Sequence, residues 1–428
     1  MTNVTRDQTF DPGHGPLVND PPMLPAIDVL RGITMLWVTI FHLFADTRGT
    51  PGPELYASRC LSALRSGDLG AALATAANAL AAAPSFRVDL FLFVTGLVLM
   101  LRPPSGAAAF LKRRMRAVLP SYWLGSLFVL AVVVGLAALR AGVAGSAFGA
   151  ELQRGSLLSR GPYRIEPLDM IWSFSIVGRF QGLRTMQLIA PSMWYVVLVL
   201  QAYCVFPALR ALLARLGPAW FFLGIIGVTC LGRWLVFRYD PFPSFGPNAA
   251  VIYLLPFRLA PLAVGMVAAR WATSLRVVPG RGVSLGLAGP AILLVLAMVW
   301  ASDEVNAPDT ILGVIGPVAT LIPALPGFWI MAAAGSAAPG LRRVLAWAGR
   351  HSISILIAQD ALRFVVGTAM TLGGKLGGIT WWLAIPYLAA SLLVAWVWSP
   401  LPTWVTDRVW PLAAASPRPA GGSDDVGE

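Results

Sequence analysis

The chain has three histidines, His14, His42 and His351. Only His42 lies deep inside a long apolar run, eleven residues after Arg31. At 3.6 residues per turn that spacing is almost three turns, so on a helix the two side chains share one face about 16 Å apart along the axis. A neutral imidazole in such a place can take a proton from a hydroxyl at neutral pH. A guanidinium can hold a carboxylate or phosphate through its paired N–H groups. The next apolar run opens Ser85-Phe86-Arg87-Val88-Asp89. If it crosses in the opposite direction, Asp89 enters at the depth of His42, where a carboxylate would fix the imidazole tautomer. Each residue also has a plainer use. Arg31 can snorkel or pair with Asp28, Asp89 can pair with Arg87, and His42 can bond between helices. Further on, Lys112, Arg113, Arg114 and Arg116 precede Pro120-Ser121-Tyr122-Trp123. This is either a positively charged membrane anchor with an aromatic belt or a clamp for phosphate oxygens.

The elements that must position these groups are membrane helices. Of the 428 residues, 57% are hydrophobic and 12% charged. That excludes a soluble domain, in which about a quarter of residues are charged, and a disordered chain. The net charge of +12 does not point to nucleic acid. Its basic residues are nearly all arginine, with lysine only at 112 and 375, and they sit between apolar runs, as in membrane topology signals. Cys60, Cys204 and Cys230 have no metal-ligand spacing and no disulfide pattern, so no metal site is expected.

The hydrophobic pattern predicts an all-α transmembrane bundle of about ten spans. They run over Ile27–Ala45, Phe86–Leu101, Val118–Leu139, Met193–Leu212, Ala219–Phe237, Val251–Ala269, Val283–Trp300, Ile311–Ala333, Val344–Val366 and Thr380–Trp398. Pro167–Phe180 is apolar but short, which predicts a re-entrant or interfacial helix. Residues 1–24 and 411–428 read as disordered polar ends flanking a membrane domain over 25–410. Counting arginines places both termini in the cytoplasm, with the 102–117 cluster on the same side. The violation is the loop 140–191, whose Arg140, Arg154, Arg160, Arg164, Arg179 and Arg184 would then lie outside and meet an anionic ligand or lipid headgroup.

Several segments together resemble the membrane-bound acyltransferase 3 family. They are Ile27-Asp28-Val29-Leu30-Arg31-Gly32 with His42, then Arg87-Val88-Asp89-Leu90-Phe91 through Gly96, then Arg113–Arg116 leading into Tyr122-Trp123. Weaker echoes follow at Pro191–Tyr195, at Leu255–Phe257 with Gly265-Met266, and at Gly349–Ser354. The resemblance implies an integral membrane enzyme moving an acetyl or other acyl group from a cytoplasmic acyl-CoA, commonly acetyl-CoA, as co-substrate with no permanently bound cofactor. The acceptor would be a hydroxyl on a carbohydrate, glycolipid or metabolite. It further implies that His42 and Arg31 are essential and that Arg113, Arg114 and Arg116, with Tyr122, handle the donor. The chain departs from the family's pattern in two places. Val199–Tyr203 lacks the carboxylates many members carry there, and Gln359-Asp360 stands near the place of a frequent histidine. The arginine-rich, lysine-poor composition suggests a bacterial inner-membrane protein. The rival expectation is a polytopic transporter or flippase for a glycolipid or small anionic substrate, its path lined by Asp28, Arg31, His42, Asp89 and Asp360.

Overall fold

The computed structural model describes residues 24–48, 59, 62–72, 75, 86–101, 106–155, 167–182, 185–186, 188–244, 250, 253–275, 339–372 and 381–409. There is no strand among the described residues. Five helices are long and apolar enough to cross a membrane, and a shorter apolar one covers Val88–Leu101. The expected spans Val283–Trp300 and Ile311–Ala333, and most of both polar ends, lie outside the described residues.

Helix α1 is Leu24–Arg48 and α2 is Phe86–Leu101. Helix α3, Ala107–Ala144, begins well before the expected span. The cationic stretch 112–116 belongs to it, because lysine and arginine are good helix formers wherever their heads reach polar surroundings. Short helices α4 (Phe148–Gly155) and α5 (Pro167–Phe174) follow, then 3-10 turns at Gly178–Gln181 and Pro191–Met193. At eight residues, α5 is too short to cross.

Helix α6 is continuous in hydrogen bonding over Trp194–Tyr239, but Gly217 breaks it with φ 74° just before Pro218. A straight helix of that length would separate its ends by about 70 Å. Instead Trp194 and Phe237 pack on the same cluster around Tyr253 and Phe257, so the chain doubles back at Gly217. Two of the expected spans are the two arms of this hairpin. The 3-10 turn Leu255–Arg258 leads into α7, Leu259–Leu275. The segment expected as one span over Val344–Val366 is two helices, α8 (Pro339–Arg350) and α9 (Ser352–Leu372), parted at His351. Helices α10 (Trp381–Trp398) and α11 (Pro400–Val409) complete the described fold.

Two glycine contacts bring the backbones together where the chemistry-bearing residues lie. A Cβ on Gly32 would collide with the carbonyl of Leu345, and one on Gly349 with that of Asp28, so α1 and α8 touch main chain to main chain. Gly96 and Gly265 do the same for α2 and α7 against Leu262 and Phe93. Small residues at such crossings are how membrane helices gain close packing without a hydrophobic driving force. The central core joins α1, α2, α3, α6 and α9 through Met35, Phe91, Val118, Val196, Ile355 and Leu356.

Candidate active site

Arg31 sits one residue before the glycine contact, at the end of α1 that meets α8 and the start of α9. Its Nη1 is 3.7 Å from Asp28 Oδ1, and its Nη2 is 3.4 Å from Ser352 Oγ at the start of α9. Asp28 also pairs with Arg350 at 3.7 Å. Arg31 lines a cavity with Arg114, Thr95, Tyr195, Tyr203 and Ser352. Arg114 enters that cavity from α3, its guanidinium lying over the rings of Phe110 and Tyr203 at 5.7 and 5.5 Å.

His42 lines a second cavity, walled mainly by apolar side chains, Met35, Val38, Val88, Trp194 and Leu356 among them. Phe91, Tyr195, Ser352 and Ile353 line both cavities. The two are therefore neighbouring chambers divided by a shared wall, cationic at the Arg31 end of α1 and apolar around His42.

Behind His42 lies a buried polar cluster. Its Nδ1 is 2.8 Å from Gln359 Nε2 and 3.4 Å from Ser192 Oγ. Ser192 donates its hydroxyl proton to Asp360 Oδ1 at 2.6 Å and its backbone N–H to Asp360 Oδ2 at 2.9 Å. Arg363 Nη1 reaches Asp360 Oδ1 at 3.1 Å. Gln359, Asp360 and Ser192 are buried. The 3-10 turn Pro191–Met193 carries Ser192 into this cluster, and α9 presents Gln359, Asp360 and Arg363 within one turn. Asp360 is stable there because two donors from Ser192 and one from Arg363 satisfy its oxygens.

The other expected site residues are placed as follows. Asp89 is buried in an ion pair with Arg258 at 2.6 Å, and Gln359 and Ser192 lie at His42 Nδ1. The turn of α2 that sends Val88 and Phe91 to the His42 chamber sends Asp89 toward the 3-10 turn ahead of α7. Arg113 is exposed. Arg116 pairs with Asp407 of α11 at 3.5 Å. Of the three clustered arginines, Arg114 is the one that lines a chamber. Tyr122 lines neither chamber. Fully buried, it donates to the Ser173 carbonyl at 3.1 Å and accepts from Arg179 Nε.

Two of the loop arginines expected to meet an external anion have internal partners. Arg179 is fully buried and also donates to the carbonyls of Ser173 and Met186. Arg140 pairs with Glu151 at 3.3 Å and donates to Thr368 at 2.6 Å. The side chains of Arg154, Arg160, Arg164 and Arg184 lie outside the described residues. Among the described residues, no grouping of His, Cys, Asp and Glu could hold a metal ion. Ser192, Tyr195, Arg258 and Arg363 were not singled out as site residues from sequence. The signal available for Asp360 and Arg363 was an i, i+3 pair of opposite charges inside an apolar run.

No curated protein and no solved structure matches the chain. The model of the acyltransferase 3 family, described as an acyltransferase domain, matches residues 24–399. That stretch contains α1 through α10 and every residue of both chambers. With the family model covering most of its length, this multi-pass membrane chain belongs to the acyltransferase 3 family, the membrane acyltransferases.

Proposed function

We propose that the protein transfers an acyl group, acetyl in the first place, from acyl-CoA to a hydroxyl of a carbohydrate, glycolipid or metabolite at the bacterial inner membrane. His42 is the general base. Both termini face the cytoplasm, so the Arg31 and Arg114 chamber opens toward the donor and His42 lies toward the acceptor. The observation that carries this reading is the shared wall of Phe91, Tyr195, Ser352 and Ile353, which sets a cationic chamber against one holding an imidazole. Arg114 and Arg31 suit the phosphates or polar arm of a CoA donor. The apolar chamber suits a short acyl group beside His42.

In the step itself His42 takes the proton of the acceptor hydroxyl while its oxygen attacks the thioester carbonyl. The tetrahedral intermediate collapses with breakage of the C–S bond. The CoA thiolate then recovers the proton from the imidazolium, giving an acyl ester and free CoA. Direct transfer of this kind needs no acyl-enzyme.

Membranes containing the wild type or His42→Ala are supplied with acetyl-CoA labelled in the acetyl group. The expected result is label in a glycan, lipid or metabolite fraction, reduced at least about 100-fold by the substitution, as loss of a general base predicts. Absence of His42-dependent label, together with no thermal stabilisation of the purified protein by any acyl-CoA, would overturn the reading in favour of transport.

A further inference from the structure

The two chambers meet at Phe91, Tyr195, Ser352 and Ile353. An acyl group that passes from a donor on the Arg31 side to an acceptor beside His42 crosses that wall. Two of its four residues carry hydroxyl groups. Thr95 gives its own proton to the Phe91 carbonyl at 2.8 Å, so in the bond between Thr95 and Tyr195 the phenol is the donor. The Tyr195 proton is thereby committed. Ser352 is placed differently. Among the described residues its side-chain hydrogen bond is one that it accepts, from Arg31 Nη2 at 3.4 Å. A hydroxyl has one proton to donate, and this bond does not spend it.

Ser352 is buried at the first position of α9, directly after α8. Gly349 locks α8 on the Asp28 carbonyl of α1, and Gly32, next to Arg31, makes the other half of that contact. One backbone crossing thus holds both the guanidinium and the hydroxyl. Arg31 occupies a lone pair of Ser352 Oγ and turns the hydroxyl proton away from itself, toward the chambers that Ser352 lines. A hydroxyl that accepts from a cation is also the stronger donor.

The spacing suits a donor to the reacting carbonyl. Ser352 and Gln359 are seven residues apart on α9, about 10.5 Å of rise, and the Gln359 carboxamide lies 2.8 Å from His42 Nδ1. A base acts within about 3 Å of a hydroxyl, and the hydroxyl oxygen attacks from about 3.5 Å. An oxyanion donor sits about 3 Å from the charged oxygen. Laid end to end, these contacts bridge that rise.

We infer that Ser352 is a catalytic residue of the transfer, its hydroxyl donating a hydrogen bond to the thioester carbonyl oxygen as that oxygen takes on negative charge. The inference rests on the proposed acyl transfer. While His42 takes the proton of the acceptor hydroxyl, the new C–O bond forms and the carbonyl π pair moves onto the oxygen that faces Ser352. The serine keeps its proton throughout. When the C–S bond breaks, the pair returns to the carbonyl, and the imidazolium proton neutralises the departing thiolate. Arg31 serves this step through Ser352, without having to reach the carbonyl itself.

The test uses the full chain in nanodiscs as wild type, Ser352→Ala and Ser352→Thr. Loss of one oxyanion donor costs about 100–1000-fold in kcat, and Ser352→Ala should fall by that factor. KM for acetyl-CoA should stay within about two-fold, since the contact forms in the transition state, and Tm should not change. Ser352→Thr keeps the hydroxyl and should recover about ten-fold or more of the loss. Binding is read without turnover on two unreactive CoA derivatives. S-ethyl-CoA has no carbonyl oxygen, and the ketone of S-trifluoroacetonyl-CoA hydrates to a tetrahedral centre. Ser352→Ala should weaken the second about ten-fold or more, the worth of one such hydrogen bond, and leave the first unchanged.

Wild-type kcat in Ser352→Ala, a Thr variant no better than the Ala variant, or an equal loss of affinity for both derivatives would overturn the inference. An equal loss would mean that Ser352 only shapes the chamber. The binding measurements do not depend on turnover, so they separate the two claims. Absence of transfer by the wild type overturns the proposed function, whereas an unchanged preference for the ketone in Ser352→Ala refutes the role of Ser352 by itself.

Discussion

The Asp89–Arg258 pair decides whether Asp89 acts on the reaction or on the fold. The contact is 2.6 Å, and both side chains are over nine-tenths buried. Arg233, also buried, is close enough to interact electrostatically with both. Replacing Asp89 with Asn therefore leaves two neighbouring buried guanidinium groups with no carboxylate between them. Removing one member of a buried ion pair destabilises by about 3–5 kcal/mol. With about 2 cal/mol/K of unfolding entropy per residue over the chain, that is a Tm lower by about 3–6 °C. Replacing both partners with apolar residues of similar volume removes the guanidinium that was paired with Asp89 and should recover part of that loss, Arg233 remaining in place.

The assay is a double-mutant cycle on Asp89→Leu, Arg258→Leu and the double variant, read as Tm in detergent and as acyl transfer per folded molecule. A coupling of at least about 2 kcal/mol is expected, the single variants being worse than the double. Per folded molecule, the double variant should transfer acyl groups within about ten-fold of the wild type. If it is stable yet inactive, Asp89 acts on His42 in a way the Arg258 contact does not reveal, and the argument from burial is wrong.

The arginine cluster yields a sharper split. Arg114→Ala should raise KM for acetyl-CoA about ten-fold or more, the worth of one charge-assisted contact. Arg113→Ala should leave KM within about two-fold, and equal KM values for the two variants would remove Arg114 from the donor chamber. Tyr122→Phe deletes one acceptor of Arg179 and one donor to Ser173, so it should lower stability by about 1–3 kcal/mol and leave KM for acetyl-CoA unchanged. A raised KM at full stability would return Tyr122 to donor binding.

Helices were legible wherever an apolar run was long and its ends were marked. Phe86–Leu101 has the same bounds in sequence and structure because Pro84 precedes it and Pro103-Pro104 follow it. Gly217-Pro218 marked the hairpin between the arms of α6 for the same reason. The upstream turns of α3 were hidden because a run of cations reads as a loop by hydropathy, although it is compatible with a helix lying at a polar boundary. The break at His351 was hidden too, since the residues on both sides suit a helix and the separation of α8 from α9 depends on where α8 packs against α1.

The same physics divides the site. Arg31, His42 and Asp89 stand out because an ionisable group inside an apolar run is expensive and needs a reason to be there. What the reason is depends on the facing helix. Asp89 could have served His42 or a cation, and only the approach of α2 to α7, closed by Gly96 against Gly265, supplies Arg258. Arg179 looked like an external cation because sequence gives its charge but not its three internal oxygen partners. Gln359 is the hardest of these to read from sequence. A neutral amide in an apolar run carries a modest penalty and has many harmless uses, so its type alone raises no alarm. Its place beside an imidazole nitrogen, 2.8 Å away, shows only once α9 is packed against α1. Chemistry that depends on charge can thus be located along a chain, whereas the partners of a neutral amide need the neighbouring helices in place.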